Sequence, residues 1–381
     1  MIWVLAITFI GFLVIGSADT KDAGYQSKQM IGFAGSFVLM MILTLFDYRL
    51  FLKLHWLEFG LCIGLLLLVL IPGVGKNVNG ATRWIAVTDS ISVQPSEFAK
   101  ILMVVFWAWL YGQNSKFTQK WGYFWLSAIM TAIPLLLIVK EPDLSTTVLM
   151  VVLFATMLYV AGFSYKKFLI ILAVVIPIIV GALIYIIKTP DTDLKIGNSV
   201  IIHQYQKARV LSYIYPDDYD DLRYQQDNAV LAIGSGQLYG KGLNNDSTDS
   251  VKNANYIAEP QTDFIFAVVG EELGFVGSAA ILFLLLLIVL ECAITGIRAI
   301  DLSGRMICFG VAAIILFQTF INIGVVTELL PNTGIPLPFV SYGISSLVSM
   351  YAGIGLVNNV RIVKKSALEV VSKNEYRFDR S

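Results

Sequence analysis

Apolar runs of about 20 residues recur along almost the whole chain, separated by short polar turns and one long polar insert. In hydrocarbon a backbone amide has no water to bond, so a run of this kind is stable only as a helix or in a closed barrel. Unbroken runs of about 20 apolar residues select the helix. Composition agrees: 57% of the 381 residues are hydrophobic and 14% charged, against about 25% charged in a soluble protein. The mean hydropathy is +0.73. The expected fold is an all-α polytopic membrane protein.

Two other classes are set aside by the same composition. The formal net charge is zero, so no bulk attraction to nucleic acid operates and no nucleic-acid partner is expected. Cys62, Cys292 and Cys308 lie inside apolar runs without paired spacing, as buried small apolar residues do rather than disulfides or a metal site. The first run, Met1–Gly16, has no basic leader and no A-x-A site, so it is read as a retained span.

Ten spans are expected, at about Met1–Gly16, Met30–Phe46, Trp56–Ile71, Ser96–Tyr111, Tyr123–Val139, Thr146–Ala161, Phe168–Ile187, Phe264–Ile294, Met306–Leu330 and Ile344–Val363. The chain then divides into spans one to seven with their outer loops (1–187), a large extracellular loop between spans seven and eight (188–262), spans eight to ten (263–363) and a tail (364–381). Arg49, Lys53, Lys116, Lys120, Lys166, Lys167, Arg298 and Arg305 occupy alternate loops, and Lys364, Lys365, Lys373, Arg377 and Arg380 follow on the same side. The short loops opposite hold only Lys21, Lys28, Lys76, Arg83 and Lys140. The positive-inside rule therefore expects both termini in the cytoplasm and every polar motif below on the outer face of a bacterial cytoplasmic membrane.

Those motifs are few. GATRW contains Arg83, a planar fork of donors suited to a phosphate, and Trp84, which also suits an interfacial belt. QPSEFAK puts Glu97 and Lys100 three apart on one helix face, as a structural ion pair or as part of a site. EPDLSTT carries Glu141 and Asp143 in a turn where acidic residues cap a helix. In the insert, IIHQYQKARVLSYI reads as an interfacial helix with Lys207 and Arg209. The glycine-rich AIGSGQLYGKGL lacks the P-loop pattern and is expected to shape a loop at a lipid headgroup. His55 and His203 are read as non-catalytic. PNTGIPLPFVSYG, with Pro336 and Ser341, is irregular backbone that protein or water must surround at membrane depth. EPQTDFIFAVVGEELG brings Thr262, Asp263, Glu271 and Glu272 to the start of an apolar run, where an ionised side chain costs several kcal/mol. Asp263 there suits either a helix cap or a reactive carboxylate.

Taken in order around ten spans, GATRW, QPSEFAK, YQKARVLS, GKG, EPQTDFIFAVVGEELGFVG and TGIPLPFVSYG resemble the SEDS family, whose members are RodA, FtsW and a sporulation relative. The resemblance covers nearly the whole chain, and DYR after the second span together with QTDFIFA leans toward the elongation member. It implies a peptidoglycan glycosyltransferase that polymerises lipid II at the outer membrane face, acting with a class B penicillin-binding protein and the elongation-complex membrane proteins.

By the same resemblance, Asp263 matches the family's essential aspartate, and Arg83 with Trp84 its RW pair. Glu97 and Lys100 match the PSE-x-x-K pair, and Lys207 and Arg209 the basic residues of the large loop. The expectation is that Asp263 acts as base, that Arg83, Trp84, Lys207, Arg209 and Thr262 bind substrate, and that Glu97, Lys100, Glu271, Glu272, Pro336 and Ser341 support them. The sequence specifies no cofactor and no metal ligand; a divalent cation, Mg or Mn, is the candidate aid at the phosphates. Two positions depart from the family: Gln261 stands where it has histidine, and Ile344 where it has the second glycine of SYGGSS. The rival readings are a transporter that flips lipid II and a scaffold that recruits the crosslinking enzyme.

Overall fold

The computed structural model describes residues 1–19, 24–78, 81–86, 88, 92–113, 119–189, 194–196, 199–202, 204–245, 250, 257 and 259–378. His203, Lys21 and Lys116 fall outside them. Helices dominate: α1 (Ile2–Ala18), α2 (Tyr25–Leu45), the short α3 (Tyr48–Lys53), α4 (His55–Val69), α5 (Pro95–Gln113), α6 (Trp121–Lys140), α7 (Leu144–Val160) and α8 (Tyr165–Lys188) precede the insert. The insert forms α9 (Gln204–Ile214) and α10 (Asp220–Ser235), and α11 (Ile265–Ile297), α12 (Leu302–Val326) and α13 (Ile344–Phe378) complete the chain. Five of these, α2, α6, α11, α12 and α13, are long and apolar enough to cross a membrane by length and composition alone, and α1, α4 and α7 are shorter apolar helices. The chain is an integral membrane protein. Its outward apolar side chains, such as Phe9, Leu136, Leu169 and Phe283, face lipid.

The bundle is built around α12 and α13, whose spans are 61% and 67% buried against 22% for α2. α12 packs on α5, α7, α11 and α13, and α13 lies along α2. Close approach needs small residues: a methyl on Gly355 of α13 would lie 2.8 Å from the Met40 carbonyl of α2. At the basic end of the bundle Asp301 caps α12, accepting from the Gly304 amide at 2.7 Å and from the Tyr48 hydroxyl at 2.7 Å. The Arg49 guanidinium stands 3.5 Å from the same carboxylate. DYR is therefore the clasp between the second and ninth expected spans.

Two expectations are corrected here. The architecture is not purely helical. Three short strands, β1 (Gly75–Val78), β2 (Ala81–Ala86) and β3 (Ser92–Val93), form an antiparallel sheet, and β4 (Leu194–Ile196) pairs with β5 (Ser199–Ile202). These strands sit in polar stretches outside the apolar runs, where backbone amides can pair without completing a helix.

The eighth expected span, secondly, is two helices. Gly274 interrupts α11 at φ 66° and ψ −163°, a region only glycine occupies easily. The glycine-rich stretch of the insert fills the break. The Lys241 and Gly242 amides donate to the Glu271 and Glu272 carbonyls at 2.9 Å each, and the Phe275 and Val276 amides donate to Gln237 and Leu238 at 2.9 and 3.1 Å. A β-carbon on Gly236 would come 1.9 Å from the Gly270 carbonyl oxygen. Gly236 and Gly240 are contact surfaces for this helix break, while Gly234 and Gly242 have open space beside them.

Gly274→Ala is expected to destabilise the chain by several kcal/mol, since the added carbon would meet the Gly240 amide at 2.3 Å in a backbone region that costs about 1–3 kcal/mol. A lower melting temperature in detergent, with faster protease cleavage near residues 237–242, is the measurement. An unchanged melt refutes the role given to this glycine.

Candidate active site

The candidate cleft lies where four segments meet. Arg83, Pro142, Leu144, Ser145, Arg209, Val210, Pro331, Asn332 and Thr333 line a cavity of about 60 Å³. Drug-sized ligands occupy roughly 300–1,000 Å³. The cavity can therefore take a phosphate-sized group and not a disaccharide.

Each wall has a local cause. Asp143 caps α7, accepting from the Thr146 amide at 3.1 Å and its hydroxyl at 2.9 Å, which sets the turn carrying Pro142 and Ser145. Arg83 reaches this turn from β2, donating to the Pro142 carbonyl at 2.7 Å with its other nitrogen 4.0 Å from Asp143. The Ser145 hydroxyl donates to the Thr333 carbonyl, which joins the turn to the irregular segment between α12 and α13. That segment is held from inside the bundle. Asn322 of α12 donates through one amide nitrogen to the Ile335 carbonyl and to the Asp263 carbonyl, both at 2.8 Å. The Leu337 amide donates to Ser341 at 2.7 Å, and Gln29 of α2 bonds Ser341 and Gly343 at 3.2 Å each. The insert closes the other side: Gln226 of α10 donates to Val325 at 2.8 Å and Leu330 at 3.0 Å, and Arg223 pairs with Glu328 at 3.0 Å.

Asp263 stands beside this cleft in the turn before α11. Its side chain does not cap the helix, whose N-cap is Phe264 without a side-chain bond. Among the described residues its carboxylate has no hydrogen-bond or ion-pair partner. Gly334 faces it at φ 74°, and a β-carbon there would lie 3.1 Å from Oδ2, so only the missing side chain leaves the carboxylate room. Burial pushes the Asp263 carboxyl up to about 6, with Arg209 and Arg83 pulling it down and Glu259 and Asp143 pushing it up. A carboxylate of that pKa is ionised at neutral pH and still a competent base.

Two neighbours complete the electrostatics. Glu141 is wholly buried, neither carboxylate oxygen has a hydrogen-bond partner among the described residues, and burial, with Asp143 adding to it, lifts its pKa to about 8. Thr262 bonds back to the Glu259 carbonyl at 2.9 Å and shapes the turn that presents Asp263.

The structure thus brings together Arg83, Arg209, Thr262 and Asp263 and separates the other residues expected at the site. Lys207 is buried, and its ammonium donates to the Thr189 carbonyl at 2.5 Å. Two residues apart on a helix point to opposite sides, so Lys207 and Arg209 do not share the cleft. Trp84 follows Arg83 on a strand and faces the other way, opposite Lys76. Glu97 and Lys100 pair at 2.7 Å with both side chains buried between α5 and α13, which is the structural member of their two readings. Glu271 pairs with Lys241 at 2.8 Å, and Glu272 accepts from Ser17 at 2.6 Å. Pro336 and Ser341 lie in the irregular segment below the cleft. Ile344 simply opens α13, packing against Gly32 of α2, so no unusual dihedral is needed there. His55 stacks on Trp109 with ring centroids 3.4 Å apart, remote from the cleft. Among the described residues no group of three His, Cys, Asp or Glu side chains is placed to hold a metal.

Ser145, Thr333, Gly334 and Asn322 were not singled out by the sequence. Asn322 had a readable signal, a carboxamide inside an apolar run, which at membrane depth marks a structural or functional contact.

The profile of the family described as "Cell cycle protein", FTSW_RODA_SPOVE, matches residues 1–366. The chain is 34% identical over 366 residues to "Stage V sporulation protein E" of Bacillus subtilis, covering 93% of this chain and 94% of that one. It is 31% identical to the "Probable peptidoglycan glycosyltransferase FtsW" of Buchnera aphidicola, over 91% and 89%. Among solved structures, one described as "Structural coordination of polymerization and crosslinking by a peptidoglycan synthase complex" superposes with a TM-score of 0.77 at 27% identity, over 95% of this chain and 96% of that one. The rod shape determining protein RodA of Thermus thermophilus superposes with a TM-score of 0.65 at 26% identity, over 94% of each.

Proposed function

We propose that this chain, which belongs to the FTSW_RODA_SPOVE family of cell cycle proteins, is a peptidoglycan glycosyltransferase that polymerises lipid II at the outer face of the cytoplasmic membrane. The observation that carries the reading is a carboxylate, Asp263, that has no hydrogen-bond or ion-pair partner among the described residues and stands beside a phosphate-sized cleft lined by Arg83 and Arg209. The relatives named for this activity support it.

Glycosyl transfer joins a sugar hydroxyl to an anomeric carbon and releases a lipid pyrophosphate. It needs a base at the hydroxyl and positive charge at the departing phosphates. Asp263 takes the hydroxyl proton as the new bond forms. Arg83, held by the Pro142 carbonyl, and Arg209 bind the pyrophosphate oxygens as the glycosidic C–O bond breaks. The sugars lie above the cleft, which is too small for them. A divalent cation, if one takes part, would supply positive charge to the phosphates.

We assign cell elongation as the setting, from DYR and QTDFIFA, and both termini to the cytoplasm, from the Lys and Arg count. A class B penicillin-binding protein is the proposed partner, supported by the likeness to a synthase complex that coordinates polymerisation with crosslinking.

The test is purified chain in detergent with labelled lipid II, alone and with its partner, followed by gel separation of products. Glycan ladders are expected. A flippase makes none, since detergent offers no second side, so ladders missing in both arms would overturn the proposal. A pH series adds a sharper mark: the rate should fall about tenfold from pH 7 to pH 5, because the base is lost as pH drops through about 6. Stability moves the other way, since the folded state holds the Asp263 proton more tightly than the unfolded chain and so loses stability as pH rises from the ordinary carboxylate range to about 6. A rate that stays flat to pH 5 removes Asp263 as the titrating base.

A further inference from the structure

The end of α11 remote from Asp263 carries a second site that the reaction does not use. A cavity of about 570 Å³ opens between α11 and α13, lined by Arg298, Arg361 and Lys364 with Glu291, Thr295 and the apolar Ile294, Val360 and Ile362. Three cations face one carboxylate, leaving a net positive charge of two. Thr295 spends its hydroxyl on the Glu291 backbone carbonyl at 2.8 Å, so the cavity's polar character comes from the charged side chains. Arg298 is the C-cap of α11.

The apolar surroundings have a direction. Leu286, Leu290, Ile294 and Arg298 recur every four residues along α11, one face of the helix. The three apolar members are 47%, 45% and 45% exposed. The stripe therefore runs through the membrane and ends at the cation-lined cavity. A narrow apolar slot adjoins it, lined by Trp3, Val4, Ile288, Ile354 and Val357 and sharing Glu291, Thr295 and Arg361 with the cavity.

We propose that this cavity is a binding site for an anionic phospholipid, its phosphate headgroup held by Arg298, Arg361 and Lys364 and its acyl chains laid along Leu286, Leu290 and Ile294. Charge complementarity selects the occupant. A zwitterionic headgroup brings no net charge to a cavity of net charge plus two, while a lipid with two phosphodiesters matches it. Free phosphate would satisfy the cations and leave the stripe bare. An acidic protein segment would do the same, having no acyl chains to follow the stripe into the bilayer. Basic pockets between spanning helices bind lipids in this way elsewhere. The site lies at the opposite end of the bundle from the glycosyl-transfer cleft and stands or falls without it.

The experiment uses the full-length chain in mild detergent with diphosphatidylglycerol, phosphatidylglycerol, phosphatidylcholine or inorganic phosphate added, and counts bound lipid by native mass spectrometry. Both anionic lipids should be retained and phosphatidylcholine lost. The triple variant Arg298→Gln, Arg361→Gln, Lys364→Gln should bind anionic lipid roughly 100-fold more weakly, at about fivefold per cation near a phosphate. Arg298→Lys, which keeps the charge, should bind as the parent does and covers the case in which the triple variant fails to fold. Equal retention of phosphatidylcholine, displacement of lipid by inorganic phosphate at matched concentration, or parental binding by the folded triple variant would each overturn the site. Glycan synthesis in detergent should be the same for parent and variants, which separates this failure from failure of the active-site reading.

Discussion

Asp263→Asn is expected to stop glycan synthesis while leaving a folded protein. The substitution is isosteric and removes only the charge and the basicity. A positioned general base contributes about 10²–10⁴-fold, so residual polymerisation of 1% or less is the scale expected from that range. Folding should not suffer, since the carboxylate caps no helix, and burial holds its charged form at a disadvantage in the folded state. The useful control is Thr262→Ala, which loosens the turn through the lost bond to Glu259 and keeps the base. It should slow the reaction far less. If Asp263→Asn makes glycan at the parental rate with an unchanged melting profile, the base lies elsewhere.

Lys100→Met should be the most destabilising change in the bundle. Its ammonium and the Glu97 carboxylate pair at 2.7 Å with 1% and 4% of their side chains exposed. Removing one partner leaves the other charge buried alone, at about 3–5 kcal/mol. Glu97 has one more donor, the Ser349 hydroxyl at 3.5 Å, too long to replace the lysine. Glu97→Gln combined with Lys100→Met should recover much of the loss, because a neutral amide in place of the carboxylate leaves no unpaired charge. Melting temperature in detergent, followed for both singles and the double, gives the coupling directly. A double variant as unstable as Lys100→Met alone would show that the pair does not act as a unit. Activity that collapses in the double variant despite recovered melting would assign Glu97 and Lys100 to the chemistry instead.

The spans were legible because their cause is local. An apolar run in hydrocarbon must form its own hydrogen bonds, and the helix edges at Ile2, Trp121, Leu302 and Ile344 fall within a few residues of the sequence reading. The strands at residues 75–93 were missed because they are short, polar and lack alternation. Lys207 shows a different limit. It and Arg209 look equivalent in a basic stretch, and the phase of a helix decides that they part, one to the cleft and one to the Thr189 carbonyl. Arg83 and Trp84 part for the corresponding reason on a strand. The glycines of GSGQLYGKG invited a ligand-loop reading, and only the packing reveals that Gly236 and Gly240 fit a backbone surface.

By itself the sequence determined that this chain is a helical membrane protein of one family and placed a candidate carboxylate in QTDF, because hydrophobic run length and motif order are properties of the chain alone. The tertiary structure decided which charges face one another. Among the described residues Asp263 has no side-chain partner: Asn322 bonds only its backbone carbonyl, and Gly334, without a β-carbon, leaves space beside its carboxylate. Glu97, Glu271 and Glu272, equally acidic in the sequence, are answered by Lys100, Lys241 and Ser17. A carboxylate's partner is set by contacts between residues as much as 255 positions apart, and no local pattern carries that information.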